Sequence, residues 1–306
     1  MIVVPSLNTA REAIVLAPGW SPGAVARAEA TLLRPAGKPL NVARFAALMG
    51  GESHLVALAD AGLATEVEAA CGDAGAGCDV VLTAAASRTD VTILDGEGGA
   101  TVFNGPGIAP SPAELEALLA LLRQRLRRGG LLVLAGSLPR GISPSLLGEL
   151  AVLGERRGAG SVVDATGTLL DAALRLAPAV AKVNAAELAE ARGDGDAERS
   201  FAEGRRLAPE PANLVVTGGV RGLRAWLADG SHFEVRPPAL RAVNPVGAGD
   251  AVTAAIAVAL DAGRPLLDGL VAGSAWAAAR TLQLDLAIDP DEAERLTAGV
   301  TVERLG

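Results

Sequence analysis

Four short apolar runs, at 131–135, 161–164, 180–183 and 213–216, are spaced along the middle of the chain, with helical patterns at 143–157 and 169–176 between them. Strands that alternate with helices in this way need crossover connections, which makes the sheet mainly parallel and puts ligands at the carboxyl ends of its strands. Of these, 131–135 is continuously apolar, as in a strand covered on both faces. Half of the 306 residues are hydrophobic, yet only 2% are aromatic and tyrosine is absent, so the core is built from Ala, Val and Leu. A chain of this length and composition reads as one large α/β domain, 1–306, with an elaboration.

The elaboration comes from extended segments outside that alternation. Residues 1–4 read as a strand, and 13–17 and 25–33 as strands of a small separate sheet, joined across Pro18, Gly19, Pro22 and Gly23. A helix opens in 35–44 and stops at Gly50 and Gly51. Strands follow at 54–59 and 79–83, and then a hairpin of 87–93 and 100–103 turns at Asp95 and Gly96. Ser111 and Pro112 cap a helix running to about Arg128, whose closing arginines are helix-end charges rather than a binding patch. Beyond the alternating region lie an edge pair at 223–227 and 233–235 and helices at 252–262, 266–282 and 291–298. The segments at about 12–35 and 88–104 would form a β-sheet lid on the α/β core.

Charge and cysteine content exclude several classes. A formal net charge of −8 and a pI near 5.0 argue against a nucleic-acid partner, so any phosphate specificity rests on local cations. Cys71 and Cys78 fit neither a zinc pair nor a disulfide framework and read as free thiols in a reducing compartment. No signal peptide or membrane span is visible, which implies a cytoplasmic enzyme with no membrane partner.

One loop carries chemistry. In 242–251, Asn244 and Pro245 give a turn, Gly247 and Gly249 flank Ala248, and Asp250 follows at the start of an alanine-rich helix. A helix N-terminus presents free amides and the positive end of the macrodipole to an anion. Asp250 has two roles there: helix N-cap, or general base toward a substrate hydroxyl while the loop amides hold the charge of a phosphoryl group.

The run 243–251 resembles the C-terminal signature of the PfkB group of the ribokinase superfamily, small-molecule kinases with a turn followed by Gly-Ala-Gly-Asp. The resemblance implies a ribokinase-like doubly wound, mainly parallel sheet with helices on both faces and a small β-sheet lid. It makes Asp250 the catalytic base and Gly247, Ala248 and Gly249 the anion hole. Gly37, Lys38 and Asn41 resemble the family's N-terminal signature, where the lysine approaches the phosphate already on the sugar and the asparagine bonds sugar hydroxyls. Arg88 resembles the arginine that the 1-phosphofructokinase and tagatose-6-phosphate kinase branch carries near the phosphosugar, and Ser137 lies in a Gly-Ser-Leu-Pro-x-Gly segment beside the substrate. Asn184 and Glu187 match an Asn-x-x-Glu element that positions Mg²⁺ through water. Thr217, Gly219 and Gly222 match a loop that touches the phosphates of ATP, to which Asn184 and Gly249 also contribute. Asn8 and Glu12 belong to the first substrate loop, where this chain has Asn-Thr-Ala-Arg-Glu in place of the family's Asn-Pro-Ala-x-Asp; Asp90 stands where asparagine is usual.

Together these imply an ATP- and Mg²⁺-dependent kinase acting on a hexose phosphate of the fructose 1-phosphate or tagatose 6-phosphate type, the two cations Lys38 and Arg88 being superfluous for an unphosphorylated sugar. Three alternatives stay open: a ribokinase-, fructokinase- or adenosine-kinase-like enzyme acting on an unphosphorylated sugar or nucleoside, a non-catalytic sugar-binding relative, and an NAD-binding dehydrogenase, the last disfavoured because no Gly-x-Gly-x-x-Gly follows the first strand. The expected partner is a small-molecule sugar or sugar phosphate, and the edges of a lid sheet suit a homodimer.

Overall fold

The computed structural model describes residues 1–165, 170–175, 177–193, 195–208, 212–285 and 287–306. Two sheets organise it. The larger has ten strands: β1 (Ile2–Ser6), β4 (Ser53–Ala59), β5 (Gly77–Leu82), β8 (Leu131–Gly136), β9 (Gly160–Ala165), β10 (Val180–Asn184), β11 (Leu214–Thr217), β12 (Leu223–Trp226), β13 (His232–Arg236) and β14 (Thr301–Arg304). Their order is β14-β13-β12-β11-β10-β9-β8-β1-β4-β5. From β5 to β11 every pairing is parallel, and the last three strands add on antiparallel. The expected mainly parallel, doubly wound sheet is therefore what the chain forms.

Period-2 alternation shows why helices cover both faces. On β1, Ile2 and Val4 pack into one core with Leu40 and Phe45 of α1 (Lys38–Leu48), Leu63 of α2 (Ala61–Asp73) and Ile256 of α9 (Ala248–Asp261). Val3 points the other way, into a second core with Leu118 and Leu122 of α3 (Pro112–Arg125) and Leu150 of α4 (Ser145–Arg156). A third cluster joins Val183 and Val216 to Leu188 of α6 (Ala185–Ala191) and Phe201 of α7 (Ala197–Ala202).

Scarcity of aromatics has its counterpart at α9 and α10 (Leu266–Thr281). A methyl group on Gly269 would stand 2.9 Å from the Ala259 methyl, and one on Gly273 would stand 3.0 Å from Val252 Cα. Small residues let these helices touch almost backbone to backbone, so tight packing replaces bulky side chains.

The second sheet runs β3-β2-β6-β7, from β2 (Ala10–Leu16), β3 (Ala30–Ala36), β6 (Arg88–Leu94) and β7 (Ala100–Phe103). The strand expected at 25–33 begins only at Ala30, and Val25 before it is almost fully exposed. Pro22 and Gly23 keep the adjoining residues in turns, and 25–28 lie outside the ladder, which the chain first meets where Glu29 N donates to Leu16 O of β2 at 2.8 Å. Helix α2 and the edge strand β14 have no clear signal in the sequence. Alanine and glycine blur the helical period of α2. β14 is exposed along its length and carries no apolar run, so only its register with β13 defines it. The helix expected at 169–176 is described as α5 (Leu170–Arg175), with Leu169 and Leu176 outside the described residues. Among the described residues, no helix is long and apolar enough to cross a membrane.

Candidate active site

Asp250 lies in the first turn of α9, 5% exposed. The N-cap is Gly247, in the left-handed region at φ 82°, and no side chain caps the helix. The N-cap role considered for Asp250 is therefore contradicted: its carboxylate caps no backbone amide of the helix and instead accepts a 2.7 Å hydrogen bond from Asn41 Nδ2 on α1. Burial pushes the Asp250 carboxyl up to about 6, against the pull of Lys38, with Asp164 adding to the rise and Asn41 and Lys182 opposing it. A buried carboxylate poised in that range, at a helix N-terminus behind a glycine loop, is equipped to accept a proton beside an anion.

Two residues beneath it were missed as functional candidates. Asp164, at the carboxyl end of β9, is fully buried and accepts hydrogen bonds from Lys182 Nζ and Thr253 Oγ1, each at 2.8 Å. Burial works against its charge, but Lys182 and Lys38 outweigh it and hold the carboxyl at about 2. Lys182 itself lies 3.4 Å from where a Cβ on Gly249 would stand. That is ordinary van der Waals separation, and it sets a buried ammonium beside the 247–249 loop. The available signal was a lysine interrupting an apolar strand, and an aspartate closing one.

Lys38 follows Gly37, whose φ of 132° is open only to glycine among ordinary residues. Its ammonium stands 3.7 Å from Asp164 and 3.8 Å from Glu187. Burial weakens that charge, yet Asp164, Glu187 and Asp250 together raise it to about 12. Lys38, Asn41, Glu187 and Asp250 thus converge on one spot.

At the other end of the site, Asn8 Nδ2 donates to Ser137 Oγ at 3.0 Å. These residues follow β1 and β8, neighbours in the sheet and the place where strand order reverses, as expected for a ligand site in this architecture. Asn8 Oδ1 is buried with no partner. Arg88 starts β6 and pairs with Asp90 at 3.1 Å, leaving its Nε without a partner. Glu12 stands apart from the others: Oε2 accepts two bonds from Arg34, at 2.6 and 3.0 Å, and Oε1 accepts one from Thr92 at 2.6 Å. Its oxygens are occupied inside the four-stranded sheet.

A cavity of about 1060 Å³ opens beside the loop, and Asn184, Thr217, Gly219, Gly222 and Gly249 all line it. Asn184 caps α6 by accepting from Ala186 N at 2.8 Å. Arg221 and Arg224 also line the cavity, each stacked over the Phe201 ring at 4.8 and 5.2 Å. Glu97 and Gly98, from the β6–β7 turn, form part of its rim. No cluster of three or more metal-ligating side chains occurs among the described residues. Glu187 Oε2, buried without a partner, is nonetheless a hard oxygen of the kind Mg²⁺ takes, with waters filling the remaining positions.

Comparison with known proteins agrees with this arrangement. The profile of the pfkB family carbohydrate kinases matches residues 3–292. A 1-phosphofructokinase of Rhodobacter capsulatus is 36% identical over 281 residues, covering 87% of this chain and 86% of its own length. An ATP-dependent 6-phosphofructokinase isozyme 2 of Mycobacterium tuberculosis is 30% identical over 253 residues, covering 81% and 74%. In fold, the chain superposes on phosphofructokinase-2 from Escherichia coli in complex with substrates and products with a TM-score of 0.86, at 24% identity over 97% of this chain and 98% of that one. A ribokinase from Arabidopsis thaliana gives 0.72 at 19% identity over 97% and 98%. With the family profile spanning nearly the whole sequence, the chain belongs to the pfkB family of carbohydrate kinases and is a phosphotransferase acting on a sugar hydroxyl.

Proposed function

We propose that this kinase transfers the γ-phosphoryl group of ATP to a hydroxyl of a hexose phosphate, of the fructose 1-phosphate or tagatose 6-phosphate type, with Asp250 as general base. The observation that carries this reading is the buried Asp250 carboxylate, held by Asn41 in the first turn of α9 against the Gly247–Gly249 loop. The name of the Rhodobacter capsulatus relative supports a phosphosugar.

ATP would lie in the cavity along Thr217, Gly219 and Gly222, with its terminal phosphoryl at the loop amides. Asp250 takes the proton of the acceptor hydroxyl as that oxygen attacks the γ-phosphorus in line, the bond from the γ-phosphorus to the bridging oxygen breaks and ADP leaves, and the amides and the nearby Lys182 ammonium offset the charge in transit. Lys38, which the family resemblance assigns to the phosphate already on the sugar, faces Glu187, Asp164 and Asp250, and on this reading it instead follows the phosphoryl from donor to acceptor. Mg²⁺, when bound through water to Glu187 and Asn184, supplies further neutralisation of the phosphates. Asn8, Ser137 and Arg88 hold the sugar end, where a guanidinium suits a phosphate already present. Residues 1–306 act as one kinase domain, with the four-stranded sheet as a lid that excludes water from the donor. Exposed Leu33, Val102 and Phe103 on that sheet's edge strands suit a homodimer in the cytoplasm.

One observation favours the second reading, an unphosphorylated sugar: Arg88 is already neutralised by Asp90. ATP-dependent phosphorylation of fructose 1-phosphate, tagatose 6-phosphate, fructose 6-phosphate, fructose, ribose and adenosine, with Asp250→Asn in parallel, separates them. Turnover of a phosphosugar that disappears in Asp250→Asn is the expected result; turnover confined to unphosphorylated compounds transfers the assignment to the second reading.

A further inference from the structure

Arg280, in the last turn of α10, is completely buried. One nitrogen, Nη1, donates to Gln283 O at 3.0 Å, while Nε and Nη2 have no partner. A buried guanidinium with most donors unmatched is a net burden on stability, so stability does not explain its presence. Its surroundings do not neutralise it fully. Arg34 of β3 repels it and is itself matched by Glu12, Arg44 of α1 adds a third guanidinium beside Arg34, and Asp285, Glu12 and Asp250 are the acids within Coulombic reach.

What Arg280 does hold is the turn after α10. Thr281 O in that turn accepts from Val243 N at 2.7 Å and from Asn244 N at 3.0 Å, and Leu284 O accepts from Asn244 Nδ2 at 2.8 Å. Asn244, also completely buried, accepts from Val246 N at 3.0 Å through Oδ1. Gly247 and the anion loop follow at once. A continuous series of bonds therefore runs from the Arg280 guanidinium through the 281–284 turn to the residue that opens the loop.

We propose that Arg280 is a positioning residue for phosphoryl transfer: it locks the 281–284 turn, which through Asn244 fixes the Gly247–Gly249 amides. The proposal rests on the kinase reading above for its catalytic consequence. Its structural half stands on the bonds alone.

The test compares Arg280→Met, which keeps the bulk and removes the charge and the donors, with Arg280→Lys, which keeps a charge. Two quantities are read: amide hydrogen exchange at Val243, Asn244 and Val246 in the protein without substrates, and kcat and KM for the sugar phosphate turned over by the parent enzyme. Arg280→Met is expected to speed exchange at those three amides about tenfold while the β8 amides keep their protection, and to lower kcat about tenfold with KM for the sugar within about twofold. Arg280→Lys is expected to recover a substantial part of both. Unchanged exchange with unchanged kcat in Arg280→Met overturns the proposal, as does faster exchange throughout the core or loss of folding in both variants, which would make Arg280 a residue of the fold. Local loosening in Arg280→Met, with no turnover of any sugar by the parent enzyme, sinks the kinase reading and leaves the positioning role standing.

Discussion

Asn41 donates to Asp250 at 2.7 Å across 209 residues of sequence, joining the first helix of the chain to the helix that carries the proposed base. The bond favours the charged carboxylate, because an acceptor gains from a donor only while its lone pairs are free.

Loss of that bond is the first expectation. Asn41→Leu keeps the volume and removes the donor, so the Asp250 carboxyl should rise further above its present value near 6. At pH 7 kcat/KM should fall by about tenfold, and the acid limb of the pH profile should move to higher pH. A pH–rate series on the two proteins checks both.

For the parent enzyme the same geometry sets the position of that limb. A base must be unprotonated to act, so kcat/KM should be level above pH 7 and decline as pH falls through about 6, approaching tenfold per pH unit below it. A limb near 4 would mean that substrate-free Asp250 is an ordinary carboxylate or is not the base.

Asp250→Asn should separate function from stability. Removing the base is expected to lower kcat by about 10²–10⁴-fold. The folded-state carboxyl is raised above its unfolded value of 3.8, so the unfolded chain loses its proton first and the parent protein loses stability as pH rises from about 4 to about 6. A difference of that size corresponds to about 3 kcal/mol at pH 7, a penalty the neutral amide does not carry. Urea denaturation at pH 7 should therefore show the inactive variant as the more stable one, with the gap closing toward pH 4.

Lys182→Met breaks the buried pair with Asp164 and leaves Lys38, at 3.7 Å, and the Thr253 hydroxyl, at 2.8 Å, to compensate that carboxylate among the described residues. Removal of one partner from such a pair destabilises by about 3–5 kcal/mol, and the remaining lysine places this case at the lower end. Denaturant midpoints give the stability change, and the loss of the ammonium beside Gly249 should appear separately as a reduced kcat.

Gly222→Ala tests the floor of the cavity. Gly222 has φ 89°, and a Cβ there would stand 2.1 Å from Val235 O. The 218–222 turn must open to admit it, with destabilisation of about 1–3 kcal/mol and weaker ATP binding, measurable by calorimetry.

Much of this protein is legible in its sequence alone. Alternating apolar runs and helical patterns determine a parallel sheet because a crossover helix carries the chain back to the end of the sheet where the strand began, and the Gly-x-Gly-Asp step before an apolar helix marks a helix terminus whose free amides are a property of the backbone itself. Asn184, Thr217, Gly219, Gly222 and Gly249 share a cavity for a similar local reason, the first four standing at or just after the carboxyl ends of β10 and β11 and the last in the first turn of α9. Tertiary structure decided the rest. Whether Asp250 capped its helix or faced the site depended on Asn41, far away in sequence; whether Glu12 was open to a sugar depended on Arg34 across the strand pair; and the Asp164–Lys182 pair became part of the site only when β9, β10 and α9 closed over it. Burial and long-range pairing set those outcomes, and neither is written in the spacing of residues along a chain.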